Sequence, residues 1–399
     1  MKELTNQEKI RYTNQKTILD AIRYGSHSCS QLSKKTGLSG TSVETIVDEL
    51  TQMGILKLSG QPSKSGRGRK PICYHLNADY GVVVSVDLSG RDMLICIANA
   101  TRQILYRAEI KSVLQITTEV LEAIAEKIKL GLESDRVKGK PLLCICIASP
   151  GKIEKETGRF IQAPRIENYR QVNLHTFFQE KFGCEVLVKR DVQCGLIGET
   201  QFGVLSDDRC KNAVFLHFDI SVSAAFMLGG EVYGGEKGSS GEIGFIIPEI
   251  SRPNLGMDDY LSLTAIYTQI KKKIKKLPYR HALADKYVLE FDEVKLLFLS
   301  GDEAVDEVLL TSAKYLAIQL LNFANLFDVW QIVLDGRLIE LGDKFLRYVD
   351  GYIQEFNRST ERLHVRYSGL MNKAITLGCV HAAVQAQFEK TLLSRVSNQ

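Results

Sequence analysis

The segment Ser65-Gly66-Arg67-Gly68-Arg69-Lys70 places two guanidinium groups and an ammonium among glycines, with Lys64 just before them. The chemistry this combination can do is polyanion recognition. Guanidinium forks match phosphate oxygens, and glycine lets the chain approach a backbone or enter a minor groove. A second polar group stands upstream, where Ser39, Thr41, Ser42 and Glu44 open a helical repeat. Short polar side chains at a helix start are placed to meet base edges in a major groove. That helix carries few cations, so Lys64, Arg67, Arg69 and Lys70 must supply much of the electrostatic attraction.

The charge distribution agrees. Residues 1–75 hold 12 Lys and Arg against 6 Asp and Glu, a local charge of +6 in a chain of net +4, so the remainder is slightly acidic. A basic segment on a near-neutral body predicts a polyanionic partner, double-stranded DNA, for that segment alone.

The nine cysteines, Cys29, Cys73, Cys96, Cys144, Cys146, Cys184, Cys194, Cys210 and Cys379, show no C-x-x-C pair and no histidine at metal-ligand spacing. Most lie in apolar segments, so they read as reduced core residues, with no metal and no cofactor expected. No apolar run has the length of a membrane span, and no signal pattern opens the chain, so no membrane partner and a cytoplasmic location are expected. At 399 residues, 44% hydrophobic and 25% charged, the chain predicts two or three globular domains.

The elements that must hold these groups can be read from spacing. Ile18, Leu19 and Ile22 predict a first helix ending at Gly25, and Ser30 is placed to cap a short second helix that stops at Gly37. Thr41 and Glu44 fit a capping box for the third, although Ser39 could equally be the cap; its stripe is Val43, Ile46, Val47, Leu50 and Met53. Ile55–Leu58 and Pro71–Leu76 then read as two strands joined by the basic loop 61–70. Helices followed by a basic hairpin predict a winged helix-turn-helix over residues 1–78, against the alternative of a plain three-helix bundle. Its small footprint favours a homodimer or higher homo-oligomer on a two-fold operator.

Beyond residue 80 apolar strands alternate with helices. Val82–Leu88, Met93–Ala98, Ile104–Ile110 and Leu142–Ala148 form one set, and Ala213–Asp219, Ser223–Leu228, Glu231–Tyr233 and Gln331–Leu334 a second. Two such sets predict a duplicated α/β body with a cleft between lobes, residues 79–200 and 201–399.

The wing phrase Gly66–Pro71, the strand opening Val82-Val83-Val84-Ser85-Val86-Asp87, Pro150-Gly151, the segment 189–199, Gly238–Phe245, Leu334-Asp335-Gly336-Arg337 and Leu377-Gly378 occur in the order of a known family. Taken together the chain resembles the repressor branch of the ROK family, which unites sugar-metabolism repressors with sugar kinases. The resemblance implies an α/β fold class: a two-lobed actin-like ATPase (ribonuclease H-like) sugar-kinase fold behind the winged helix-turn-helix. It also implies a repressor of carbohydrate-utilisation genes that answers to a sugar or sugar-phosphate effector.

Departures from the family pattern point away from catalysis. Kinases of the family carry Asp-x-Gly-Gly-Thr and Gly-Thr-Gly-x-Gly loops; here stand Asp87-Leu88-Ser89-Gly90-Arg91 and Asp219-Ile220-Ser221-Val222-Ser223. Glycines serve in such loops because backbone amides must reach phosphate oxygens with no Cβ in the way. Asp219 adds a carboxylate where phosphate should sit, so ordinary ATP binding is not expected. The family's Gly-His and cysteine cluster for zinc is also missing. Gly244-Phe245 is followed by a cysteine-free stretch to Asp259, and Phe245 and Ile247 are expected to hold the loop by packing.

By the same resemblance the sugar-contacting positions map to Asp191, Glu242, Asp259 (within a residue), and two arginines, Arg165 and Arg190, where the family has asparagines. Two readings of the arginines stand side by side. They adapt the cleft to an anionic ligand through bidentate bonds, or Arg190 pairs with Asp191 or Glu242 and closes a vestigial site. A kinase that keeps Asp191 as base, and a ligand-independent repressor controlled by a protein partner, are the alternatives to a ligand-controlled repressor.

Overall fold

In the computed structural model, the described residues are 5–59, 72–90, 92–111, 113, 115–154, 159–163, 165–207 and 210–396. Lys64, Arg67, Arg69 and Lys70 of the wing lie outside them.

Three helices come first. Asn6–Ile22 starts at a capping box in which Thr5 accepts the Glu8 amide and the Glu8 carboxylate accepts the Thr5 amide. Cys29–Thr36 begins at Ser28, reciprocally bonded with Gln31, and ends at Gly37, whose φ of +75° closes the last turn onto the Ser33 carbonyl. The cap is therefore Ser28 and not Ser30, because Ser28 is the residue in extended conformation with a Gln three positions on. Gly40–Gln52 is capped by Ser39, whose hydroxyl accepts the Ser42 amide at 3.2 Å; Thr41 lies inside the first turn.

Ile18, Ile22, Leu32, Val43, Val47, Leu50 and Ile55 close a small core between these helices. Leu56–Leu58 pairs antiparallel with Cys73–Leu76, and His27–Ser28 adds a third short strand to its other edge. Helix, turn, helix and hairpin thus assemble as expected, and this unit is called the reading head below.

The body contains two five-stranded sheets of identical order. The first uses Val82–Asp87, Met93–Asn99, Ile104–Ile110, Leu142–Ser149 and Glu185–Arg190; the second uses Ala213–Phe218, Val222–Leu228, Glu231–Tyr233, Gln331–Gly336 and His364–Tyr367. Numbered along the chain within each lobe, both run 3-2-1-4-5 across the sheet. In each, the second strand is antiparallel to the first and third, and the last two are parallel to the first. The repeat is the duplicated ribonuclease H-like plan of actin-like ATPases.

Every residue of Val82–Asp87 is buried because helices cover both faces of its sheet. Val82, Val84 and Val86 pack with Ile124 and Ile128 of helix Thr118–Leu132. Val83, with Cys144, Cys146 and Ala148 of the neighbouring strand, packs with Cys379, Val380 and Val384 of the last helix, Ala374–Val396. Helix Ala374–Val396 therefore packs on the sheet of the first lobe. Alternating strand faces need partners on both sides, and this helix covers the side opposite Thr118–Leu132.

Helix Asp191–Phe202 lies between the lobes. Val192 and Leu196 pack with Phe215 and Val333 of the second sheet, while Cys194 faces the first. Its crossing with Ala374–Val396 is close: a Cβ on Gly378 would stand 1.8 Å from the Cys194 carbonyl oxygen, and one on Gly198 2.0 Å from that of Ala374. Only glycine permits such an approach of backbones.

Candidate functional site

The start of the third helix presents Thr41 and Glu44 to solvent together with Thr45 and Asp48, on one face at i, i+3, i+4 and i+7 spacing. Thr45 and Asp48 escaped the sequence reading although the spacing names them. Ser39 is exposed but acts as cap, and Ser42 is half-buried, lining a shallow groove with Arg11 and Asn14 of the first helix.

Between the lobes lies a cavity of about 500 Å³. Asp87, Asp92, Asp219, Glu290, Asp335 and Glu340 all line it, against the cations Lys271 and Arg337 and the imidazole of His217. Such a wall opposes a polyphosphate.

Both relics of phosphate loops are closed from within. At the end of the first strand Asp87 accepts the Ser89 amide at 3.0 Å and the Ser89 hydroxyl at 2.6 Å. In the second lobe Asp258 accepts the Val222 amide at 2.7 Å. Amides that would cradle phosphate thus donate to the protein's own carboxylates. Burial pushes the Asp87 carboxyl up to about 6, its bonds from Ser89 working the other way; burial also raises Asp258.

Arg165 does not line the cavity. Its two terminal nitrogens donate to the carbonyls of Leu88, Ser89, Gly90 (2.8 Å) and Val113 (3.2 Å), clamping the first loop relic. Arg190, its side chain 4% exposed, donates to the Glu242 carboxylate and the Ser240 carbonyl. The pairing alternative for Arg190 is the one the geometry supports, with Glu242 as partner. The terminal nitrogens of Arg165, expected at a ligand, are thus engaged by loop carbonyls and clamp that loop.

Asp191 opens its helix beside this pair and its carboxylate accepts the Val192 amide at 2.7 Å. Burial raises its pKa, with the charges of His217 and Arg190 opposing. Asp259, expected at the second acidic position, and its neighbour Asp258 point to different partners. Asp259 is turned outward onto the Gly256 amide, whereas Asp258 is directed to Val222 and lies among the charges of Asp259 and Glu242.

His217 and Asp335 come from adjacent strands and share a bond of 2.9 Å. Burial alone would lower the imidazole, but the hydrogen bond and charge of Asp335, with Asp191 and Asp219 beyond, push it up to about 9. His217 Nε2 and Asp335 Oδ1 are both buried without a protein partner. They offer a donor and an acceptor at the cavity wall; sequence reasoning met Asp335 only within the motif 334–337 and passed over His217, because a strand histidine gives no spacing signal.

The loop once expected to rest on Phe245 and Ile247 does not, since these are 59% and 56% exposed. Ile243 and Met257 are its buried anchors, and Glu249 ties it to the hydroxyls of Tyr260 and Tyr315. Two apolar residues in sequence were mistaken for anchors where polar bonds do the holding.

Helices Asp191–Phe202 and Ala374–Val396 both reach the reading head, and the second also reaches the cavity. Ile375, at the start of Ala374–Val396, lines the cavity, and further along Glu389 pairs with Lys16 at 3.1 Å. At the far end of Asp191–Phe202, Gln201 accepts from the Tyr24 hydroxyl at 2.6 Å and from Arg23. One apolar cluster runs from Ile18 and Ile22 through Phe388 and Val384 to Cys146.

The family model described as "ROK family" matches residues 83–386. A putative xylose repressor of Caldicellulosiruptor sp. (strain Rt8B.4) is 26% identical over 376 residues, 92% of each chain. The DNA-binding transcriptional dual regulator NagC of Escherichia coli (strain K12) is 24% identical, covering 86% of this chain and 85% of its own. Among solved structures, a ROK family transcriptional regulator, a homologue of the E. coli MLC protein, superposes with a TM-score of 0.79 at 22% identity, over 98% of this chain and 100% of that one. A ROK family glucokinase from Streptomyces griseus, with glucose and AMPPNP, superposes with 0.64 at 20% identity, over 76% and 100%. No helix among the described residues is long and apolar enough to cross a membrane.

Proposed function

This chain belongs to the ROK family, and from that premise we propose that it is a DNA-binding repressor of carbohydrate-utilisation genes whose kinase-like body senses a sugar without phosphorylating it. The observation that carries the reading is the pair of closed loops. The Ser89 and Val222 amides donate to Asp87 and Asp258, so the body has lost its phosphate cradle while keeping its cleft. The matched regulator covers 98% of this chain where the matched kinase covers 76%, and a relative named as a xylose repressor aligns over 92% of it, more than the body alone can supply.

The effector we infer is a neutral sugar and not a sugar phosphate. Arg165 and Arg190 hold internal acceptors, and at the cavity wall six carboxylates outnumber Lys271 and Arg337, so an anion is disfavoured there. The unpartnered His217 Nε2 and Asp335 Oδ1 suit hydroxyl groups. Closure of the lobes on such a ligand would tilt helices Asp191–Phe202 and Ala374–Val396, and with them the heads of a dimer on a two-fold operator. The buried Arg190–Glu242 pair favours a second reading, in which the family's sugar position is shut and a protein partner sets repression.

The test is retention of sheared genomic fragments at near-physiological salt, followed by sequencing, with and without neutral and phosphorylated sugars. A recurrent two-fold motif, weakened by Arg67→Ala with Arg69→Ala and released by a neutral sugar, is the expected result. Loss of two phosphate contacts should reduce the slope of log affinity against log salt by about 2. A motif that no sugar releases would favour the partner-controlled reading, and absence of any motif would refute the repressor.

A further inference from the structure

Cys146, Cys194 and Cys379 come from three separate elements, the strand Leu142–Ser149, the helix Asp191–Phe202 and the helix Ala374–Val396. Their three sulfur atoms lie within 4.8 Å of one another. All three residues are wholly buried, and each is a free thiol. No disulfide joins any two, and no fourth histidine, cysteine or carboxylate joins the group among the described residues. The surroundings are apolar, including Ala148, Val380, Ala383 and Val384.

We propose that Cys146, Cys194 and Cys379 form a three-coordinate thiolate site for a soft monovalent cation, Cu(I). Three converging sulfurs with no oxygen or nitrogen ligand select a soft ion. Structural zinc takes four ligands, and the fourth is missing here, which excludes it as the resident metal. The close crossing at Gly378 and Cys194 fixes two of the sulfurs on backbones that cannot slide apart without losing that contact. Thiol protons leave as the ion enters, and Cu(I) keeps its oxidation state, so no electron donor or acceptor is needed. The bound ion ties together the strand of the first lobe and the two helices that reach the reading head. Because the sulfurs are sealed from solvent, loading requires the two helices to part and is slower than at a free peptide thiol. This inference concerns the thiols alone and stands or falls apart from the sugar-sensing reading.

The experiment loads the full, reduced chain anaerobically with Cu(I) in competition with the chromogenic chelator bicinchoninate. One ion per chain is expected to be withheld from the chelator. Cys194→Ser and Cys379→Ser should weaken this by more than about a hundredfold, beyond the effect of losing an outer partner. Cys29→Ser and Cys210→Ser, at half-buried thiols elsewhere, should leave it unchanged. X-ray absorption of the loaded wild-type chain supplies a readout that does not depend on how variants fold, and three sulfur scatterers with no nitrogen or oxygen are expected. Failure of the wild type to withhold an ion, equal retention in Cys194→Ser, or a shell containing nitrogen or oxygen would each overturn the site.

Discussion

The Tyr24 hydroxyl donates to the Gln201 carbonyl at 2.6 Å, joining the reading head to the far end of the helix that Asp191 opens. Twelve residues at about 1.5 Å each make that helix a rod of roughly 18 Å between cleft and head. A rod transmits a tilt only if both ends are attached. Tyr24→Phe removes one bond of about 1 kcal/mol at an exposed edge, far from the third helix. Operator affinity without sugar should stay within about threefold, while the release caused by sugar shrinks; adding Arg23→Ala should shrink it further. Fluorescence anisotropy on a labelled operator, with and without the releasing sugar, measures both. An unchanged response in the double variant would exclude this route.

The Arg190–Glu242 pair makes a stability prediction of its own. With Arg190 buried and Glu242 24% exposed, removing one partner strands a charge in a poorly hydrated place. Arg190→Ala or Glu242→Ala should cost about 3 kcal/mol, whereas Arg190→Met with Glu242→Leu should recover most of it. Urea unfolding of the three variants gives the comparison, and a double variant as weak as the singles would show that the pair does more than balance charge.

Nucleotide binding should be absent, and for a specific reason. The Val222 amide is held by Asp258 and the Ser89 amide by Asp87, so removing the charge at Asp219 does not reopen either loop. Titration calorimetry with millimolar ATP should show no saturable heat for the wild type or for Asp219→Gly. Saturable binding to Asp219→Gly would mean that repulsion alone, and not occupied amides, had excluded the nucleotide.

What the sequence disclosed was set by local physics. Four strands of each lobe and the hairpin were legible because alternation and apolar runs are properties of a few adjacent residues, whereas the fifth strands, Glu185–Arg190 and His364–Tyr367, were not read. Gly37 and Ser39 were legible as a stop and a candidate cap for the same reason. Arg165 was not, because its role depends on four carbonyls, three of them 75 to 77 residues away. The three-thiol cluster was invisible to spacing rules, since its members share no segment. That Asp258, and not Asp259, meets Val222 depends on the orientation of a four-residue helix, which adjacent residues do not disclose. The partner of the last helix depended on which sheet face lacked cover.

The pH dependence of stability follows from His217, held at about 9 by Asp335 against its burial. A histidine whose folded pKa is raised keeps its proton on folding. Its contribution is therefore complete below the ordinary 6.5 and is lost as pH rises through about 9. Asp87 has the same sign in a lower window, complete below 3.8 and lost as pH rises through about 6. Between pH 6.5 and 9 the urea midpoint of the body should fall, with a slope of at most about 1.4 kcal/mol per pH unit for one proton. His217→Gln cannot take the proton and should flatten that limb, and, because the His217 charge lowers Asp87, should move the Asp87 limb to higher pH. If the wild-type midpoint is level from pH 6.5 to 9, the imidazole is not held charged, and the donor assigned to the cavity wall at Nε2 would lose its support.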